Sequence, residues 1–271
     1  MKKSDGEASG WPLPREDYWS TPFAECLLKQ LDLGPGLMVL DVAAGGGIPA
    51  FYIAEKVGPT GQVLAIDLHP AQAARCRAMQ GSHMPWLRFE QADLRALPED
   101  LPAFDRITGN IAFMFFRPDR FGALKQLVGF LKPGGQIVLT FPSLGTFDSI
   151  WRRVDEEMAA RGCVVERQRL AEYIAERPSA ADARRFLSDI GLSRIEVKEW
   201  PLEIASGPGR EFLNHPLLRG GFLDDAYECF DDPRLAEEVM QAVAGDLLRM
   251  KPLVALRCAM SGWKAAPGGA A

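Results

Sequence analysis

The chain of 271 residues predicts an α/β protein with a mostly parallel, doubly wound sheet. Three observations carry that expectation. Short apolar runs recur between helical patterns, the first of them runs into consecutive glycines, and several of them end on an acid. Taken in order, Phe23, Leu27, Leu28 and Leu31 stand at helical spacing after Ser20-Thr21-Pro22, which predicts a capped helix over residues 20–31 that packs on the sheet. The run Leu37 to Leu40 can be buried on both faces and leads to Asp41 and then Gly45-Gly46-Gly47. Glycines there let the backbone turn sharply and approach a ligand where a Cβ would collide. Pro49 opens a helix whose first amides face that ligand.

A second buried run, Val63-Leu64-Ala65-Ile66, ends in Asp67, whose carboxylate is placed to accept from two ribose hydroxyls. The third run, Trp86-Leu87-Arg88-Phe89, leads to Glu90-Gln91-Ala92-Asp93-Leu94, with an acid for an exocyclic amine such as that of adenine. Phe104 to Asn110, an amphipathic segment over residues 118–131, and Leu131-Lys132-Pro133-Gly134-Gly135 before Gln136 to Thr140 continue the alternation. Ile195 to Trp200 alternates as a strand, and Val254 to Met260 is the last strand candidate. The glycines alone also satisfy a loose dinucleotide fingerprint, Gly45-x-Gly47-x-x-Ala50. Against a pyrophosphate there, Asp41 at the strand end repels phosphate and suits a cationic ligand.

With these segments in hand, the chain resembles the class I S-adenosylmethionine-dependent methyltransferases, and more narrowly the group similar to ubiquinone and menaquinone C-methyltransferases. Val39 to Gly47 looks like that family's first motif, Ile66-Asp67 its second, Gln91-Ala92-Asp93 its third, and Leu131 to Gly135 the turn before its fifth strand. The resemblance implies a Rossmann-like sheet of seven strands, the last antiparallel beside the fifth. It also implies S-adenosylmethionine as cofactor and S-adenosylhomocysteine as product. Its cofactor contacts fall on Asp41, Ala43, Gly45 and Gly47 around the methionine part, Asp67 and Leu68 on the ribose, Asp93 and Leu94 on adenine, and Asn110 at the fourth strand end. Ala43 departs from the family's usual glycine; alanine is tolerated there if its φ stays negative, and it narrows the space beside the methionine part.

Composition narrows the classes. An apolar content of 47% suits one large core, and a net charge of −5 argues against a nucleic-acid partner held by phosphate contacts. Five cysteines without a CxxC predict reduced thiols, a cytoplasmic setting and no metal site. The amino terminus reads as no signal peptide, and no run is long enough to span a membrane. Domain boundaries are expected at an arm and cap helix over 1–30, a cofactor-binding core over 31–204, a helical lid inserted over 205–252 between the last two strands, a final strand over 253–264, and a disordered tail over 265–271. Within the lid, Leu235, Val239, Val243 and Leu247 recur at helical spacing over residues 233–250.

A sulfonium methyl needs only an acceptor held in line and water excluded. The apolar residues Phe113, Met114, Phe115, Phe141, Phe147 and Phe212, with Leu217, Leu218 and Phe222 of the insert, lead to the expectation of a small, fairly apolar metabolite with an O, C or N acceptor. Aromatic faces could stabilise the cation, which singles out Tyr18, Trp19, Phe113, Phe115 and Phe116. Tyr18 is expected beside the cofactor, and Trp19, Phe113, Phe115, Phe141 and Phe212 in the substrate pocket. Tyr18 and Trp19 follow a Pro-rich arm, Trp11 to Pro14, that could fold over the cofactor. Of three histidines, His69 is expected to flank the adenosine, and His215 in the insert is the candidate general base. Arg152 and Arg153 with Asp155, Glu156 and Glu157 read as a solvated helix face. Two other functions fit parts of the pattern: a methyltransferase-like binding protein without catalysis, and an NAD(P)-dependent oxidoreductase.

Overall fold

A computed structural model of the chain describes residues 17–204, 209–215, 219, 223–247, 249 and 253–266. The arm at residues 11–14 and the end of the expected tail lie outside the described residues, as do Leu217, Leu218 and Phe222 of the insert. In chain order the helices and strands are α1 (Ser20–Gln30), β1 (Met38–Val42), α2 (Ala50–Val57), β2 (Gln62–Asp67), α3 (Pro70–Gln80), β3 (Leu87–Gln91) and β4 (Phe104–Gly109). A short 3-10 turn, Phe113–Phe116, then precedes α4 (Arg120–Gly129), β5 (Leu131–Pro142), α5 (Asp148–Ala160), α6 (Val164–Glu176), α7 (Ala180–Asp189) and β6 (Ser193–Ile204). The rest is α8 (Gly209–Leu213), α9 (Asp224–Glu228), α10 (Pro233–Asp246) and β7 (Leu253–Trp263).

The strands form one seven-stranded sheet in the order β3-β2-β1-β4-β5-β7-β6. β1 to β5 pair in parallel, and β7 is antiparallel both to β5 and to β6. The chain therefore crosses from β5 to β6 through α5, α6 and α7 and returns between them as β7. Side-chain alternation assigns the two faces. Val39 and Val138 join a core with α2 and α3, whereas Leu40, Val42, Ile137 and Leu139 join one with α4 and α7. Burial on both faces explains why β1 and β2 carry almost unbroken apolar runs.

Where local structure departs from the sequence pattern, a physical cause is visible. α1 is capped from outside by Asp17, whose Oδ1 accepts from the Trp19 and Ser20 amides at 2.9 and 2.6 Å, and not by the Ser20-Thr21-Pro22 segment. Arg153 on α5 is not part of a purely solvated face: it pairs with Glu157 and reaches Asp246 of α10 at 2.9 Å. Ala43 takes φ +52, a left-handed backbone, so the condition under which alanine is easily tolerated there is not met.

The segment between β6 and β7 is helical in its described parts. α10 packs on α5, burying Ala236, Val239, Met240 and Val243 in a third core that also holds Trp19, Phe147, Trp151 and Phe212. Arg177, buried after α6, fastens this core to the sheet by donating to the Thr146 and Ser143 carbonyls at 3.1 Å each. Among the described residues no helix is long and apolar enough to cross a membrane, and all five cysteines are unbridged and buried.

Candidate active site

A cleft of about 700 Å³ opens over the carboxyl ends of β1, β2, β3 and β4, where the strand order reverses on either side of β1. Its floor is the turn from Ala43 to Pro49. Gly45 and Gly47 have φ +50 and +84, a region that L side chains rarely adopt. A Cβ on Gly47 would lie 2.6 Å from the Phe51 ring, so this glycine serves the close packing of α2 on the turn. One on Gly46 would meet the Arg75 guanidinium at 2.9 Å.

Asp67, at the end of β2, holds that turn. Its Oδ2 accepts from the Gly45 amide at 2.8 Å and its Oδ1 from the His69 amide at 2.9 Å. Each oxygen keeps a lone pair that faces no backbone donor, so the carboxylate can still accept two hydroxyls. The same bond commits the Gly45 N–H to an anion of the protein, which leaves it unavailable to a pyrophosphate. Beside it Leu68 is half exposed and offers an apolar face, with Leu94 buried further along. Asp93 is clasped by Arg95, which donates from its amide and Nε to Oδ1 at 2.9 Å each and from Nη2 to Oδ2 at 2.8 Å. That hydrogen bonding holds the Asp93 carboxyl below its ordinary range.

Asn110, after β4, is a strut: Nδ2 donates to the Ser20 carbonyl at 2.9 Å and Oδ1 accepts from Thr140 at 2.8 Å. Thr140 also receives the Ile111 amide at 2.8 Å. Ile111 stands at φ +54, so the two cleft residues after β1 and β4, Ala43 and Ile111, are both in a conformation costly for a side chain with Cβ.

Asp41 lies underneath. It is completely buried and does not line the cleft; Oδ1 accepts from Thr108 at 2.7 Å and Oδ2 has no hydrogen-bond partner among the described residues. Burial pushes its carboxyl up to about 7; the Thr108 bond opposes this and the nearby Asp67 charge adds to it. The expected repulsion of phosphate by Asp41 is thus blunted, because the group is sealed behind the turn and partly protonated at neutral pH.

Of the predicted cofactor residues, Ala43, Gly45, Gly47, Asp67, Leu68, Asp93, Leu94 and Asn110 all line the cleft. Tyr18 does not; its ring packs 4.7 Å from His215. His215 also lies outside the lining, though Trp19, next to Tyr18 in the chain, is part of it. Of the predicted pocket aromatics, Trp19 and the partly exposed Phe115 reach the cleft. Phe113 and Phe141 instead pack on each other at 5.2 Å in the sheet core, and Phe212 packs against Phe147 in the third core. Asp17, Arg75, Ile111 and Arg219 line the cleft without having been singled out. A readable signal existed only for Asp17, a capping-type acid just ahead of a helix.

Comparison with known proteins agrees with this geometry. A family profile described as a methyltransferase domain matches residues 39–135. The methyltransferase GfsG of Streptomyces halstedii is 30% identical over 195 residues, covering 67% of this chain and 66% of the relative. The ubiquinone/menaquinone biosynthesis C-methyltransferase UbiE of Idiomarina loihiensis is 29% identical over 175 residues, covering 60% and 69%. The chain spans less than half of several other curated relatives it matches. A solved structure of Haemonchus contortus phosphoethanolamine N-methyltransferase 2 with S-adenosylhomocysteine shares the fold, with TM-score 0.55 and 15% identity over 89% of this chain and 52% of the other. The chain belongs to the class I S-adenosylmethionine-dependent methyltransferases.

Proposed function

We propose that this protein transfers a methyl group from S-adenosylmethionine to a small, partly apolar metabolite. The observation that carries the reading is the cleft itself: a glycine floor, an acid with free lone pairs at the end of β2, and an apolar face at Leu68 beside it. Its volume of about 700 Å³ is that of a site for a small molecule and cofactor together. The bound sulfonium would supply a methyl already activated for displacement.

The chain's own groups then bind and orient. Asp67, with Leu68 beside it, holds the ribose end; Asp93 and Leu94 hold the base; Ala43, Gly45 and Gly47 seat the amino-acid end. A cation bound in the cleft would favour the ionised form of the buried Asp41 carboxylate. Trp19, Ile111 and Phe115 add apolar wall to the same cleft and would exclude water from the acceptor. His215, packed on the ring of Tyr18, which precedes the cleft residue Trp19 in the chain, is the residue we assign to take a proton where the acceptor atom carries one. The helical insert carrying His215 is the segment we assign to acceptor choice.

The test is incubation with labelled S-adenosylmethionine and a fractionated metabolite extract. Label in a small-molecule product supports the reading. Stoichiometric cofactor binding with no labelled product from any fraction favours a binding protein without catalysis.

A further inference from the structure

Among the described residues of the insert, Arg219 lines the cleft, and one of its guanidinium nitrogens has no hydrogen-bond partner. The Arg219 amide donates to the His215 carbonyl at 2.9 Å, and the residue lines the cleft with Trp19, Ile111 and Phe115. The guanidinium is fixed from two sides: Nε pairs with Asp224 Oδ1 at 2.7 Å, and Cζ lies 3.9 Å from the centroid of the Tyr227 ring. Nη1 is buried and has no hydrogen-bond partner among the described residues.

A buried guanidinium nitrogen without an acceptor is costly. A fork already immobilised by a carboxylate and a ring is prepared for a second planar anion. Because the neighbouring wall is apolar, the geometry points to Arg219 as the receptor for an acidic group on the acceptor. The acceptor is then an apolar body that carries a carboxylate or similar oxyanion. This rests on the methyl-transfer reading. The amino-acid tail of the cofactor is the less suited source of the anion: Arg219 belongs to the insert, whereas the cofactor groups come from the turns after β1 to β4.

Calorimetry on protein saturated with S-adenosylhomocysteine tests it, using phenylacetate and its neutral amide, phenylacetamide, as probes. The wild type is expected to prefer the acid by about tenfold or more, Arg219→Gln to bind both alike, and Arg219→Lys to keep part of the preference. All three should bind S-adenosylhomocysteine within about twofold of one another. No preference in the wild type, or a preference that survives in R219Q, overturns the proposal. Should R219Q weaken S-adenosylhomocysteine but not 5′-methylthioadenosine, which lacks the amino-acid tail, the arginine serves the cofactor and the acceptor assignment falls. Failure of the wild type to bind S-adenosylhomocysteine contradicts the methyl-transfer reading instead; the probe comparison is then read on the protein alone.

Discussion

Replacing Asp41 by Asn isolates the charge beneath the glycine turn while keeping an oxygen for Thr108, whose hydroxyl donates to it at 2.7 Å. In the folded chain burial raises this carboxyl from 3.8 to about 7. A raised folded-state pKa means the native form keeps a proton that the unfolded chain releases, so this group's contribution to stability is full at low pH. It is lost as pH climbs from about 4 to about 7 and is constant above. Each unit of that window costs about 1.4 kcal/mol, which bounds the whole effect at about 4 kcal/mol. D41N does not titrate. Its stability relative to wild type should therefore rise by ~3 kcal/mol between pH 5 and pH 8, measured by urea unfolding at each pH so that all other groups cancel. A difference between the two proteins that stays flat over this range would refute the assignment of Asp41 as a buried carboxylate of raised pKa.

Three further outcomes follow from the cleft. Ala43→Gly should raise stability by about 1 kcal/mol, because φ +52 is strained for alanine and free for glycine; a lower unfolding midpoint would contradict it. Gly47→Ala should cost roughly 2 to 4 kcal/mol or prevent folding, since φ +84 and a Cβ contact of 2.6 Å with Phe51 act together, and a shift in Tm of less than a degree would show that the turn relaxes freely. His215→Ala should lower kcat by about a hundredfold while leaving the Kd for S-adenosylhomocysteine within twofold, given its place beside Tyr18 outside the cofactor lining; unchanged kcat removes it as the base.

Much of the sheet was legible because β1 and β2 are buried on both faces and therefore read as continuous apolar runs. The cleft-lining residues at the strand ends were legible for a related reason: finding the strand finds the residue that follows it. The aromatic part of the lining has no such index. Phe113, Phe115 and Phe116 lie in one short 3-10 turn, and only the fold decides that Phe115 faces the cleft while the other two are buried. Sequence distance also hid the partners that define a group's chemistry. Arg95 clasps Asp93 two residues away, yet Asp246 meets Arg153 across 93 residues, and Asp41 looks like a surface anion until the turn is seen to close over it. Arg219 lies in a segment without periodicity, so nothing short of the packing of α9 against it could mark it.

Calorimetric titration of S-adenosylhomocysteine and NADH into the wild type and Asp67→Ala addresses the central claim most directly, namely that the glycine-floored cleft holds the methyl donor's nucleoside on the β2 acid. The wild type should bind S-adenosylhomocysteine and not NADH, and D67A should weaken the former by about tenfold or more, the worth of a charge-assisted contact of roughly 1.5 to 3 kcal/mol. NADH binding to the wild type, or an S-adenosylhomocysteine affinity that D67A leaves unchanged, would contradict it.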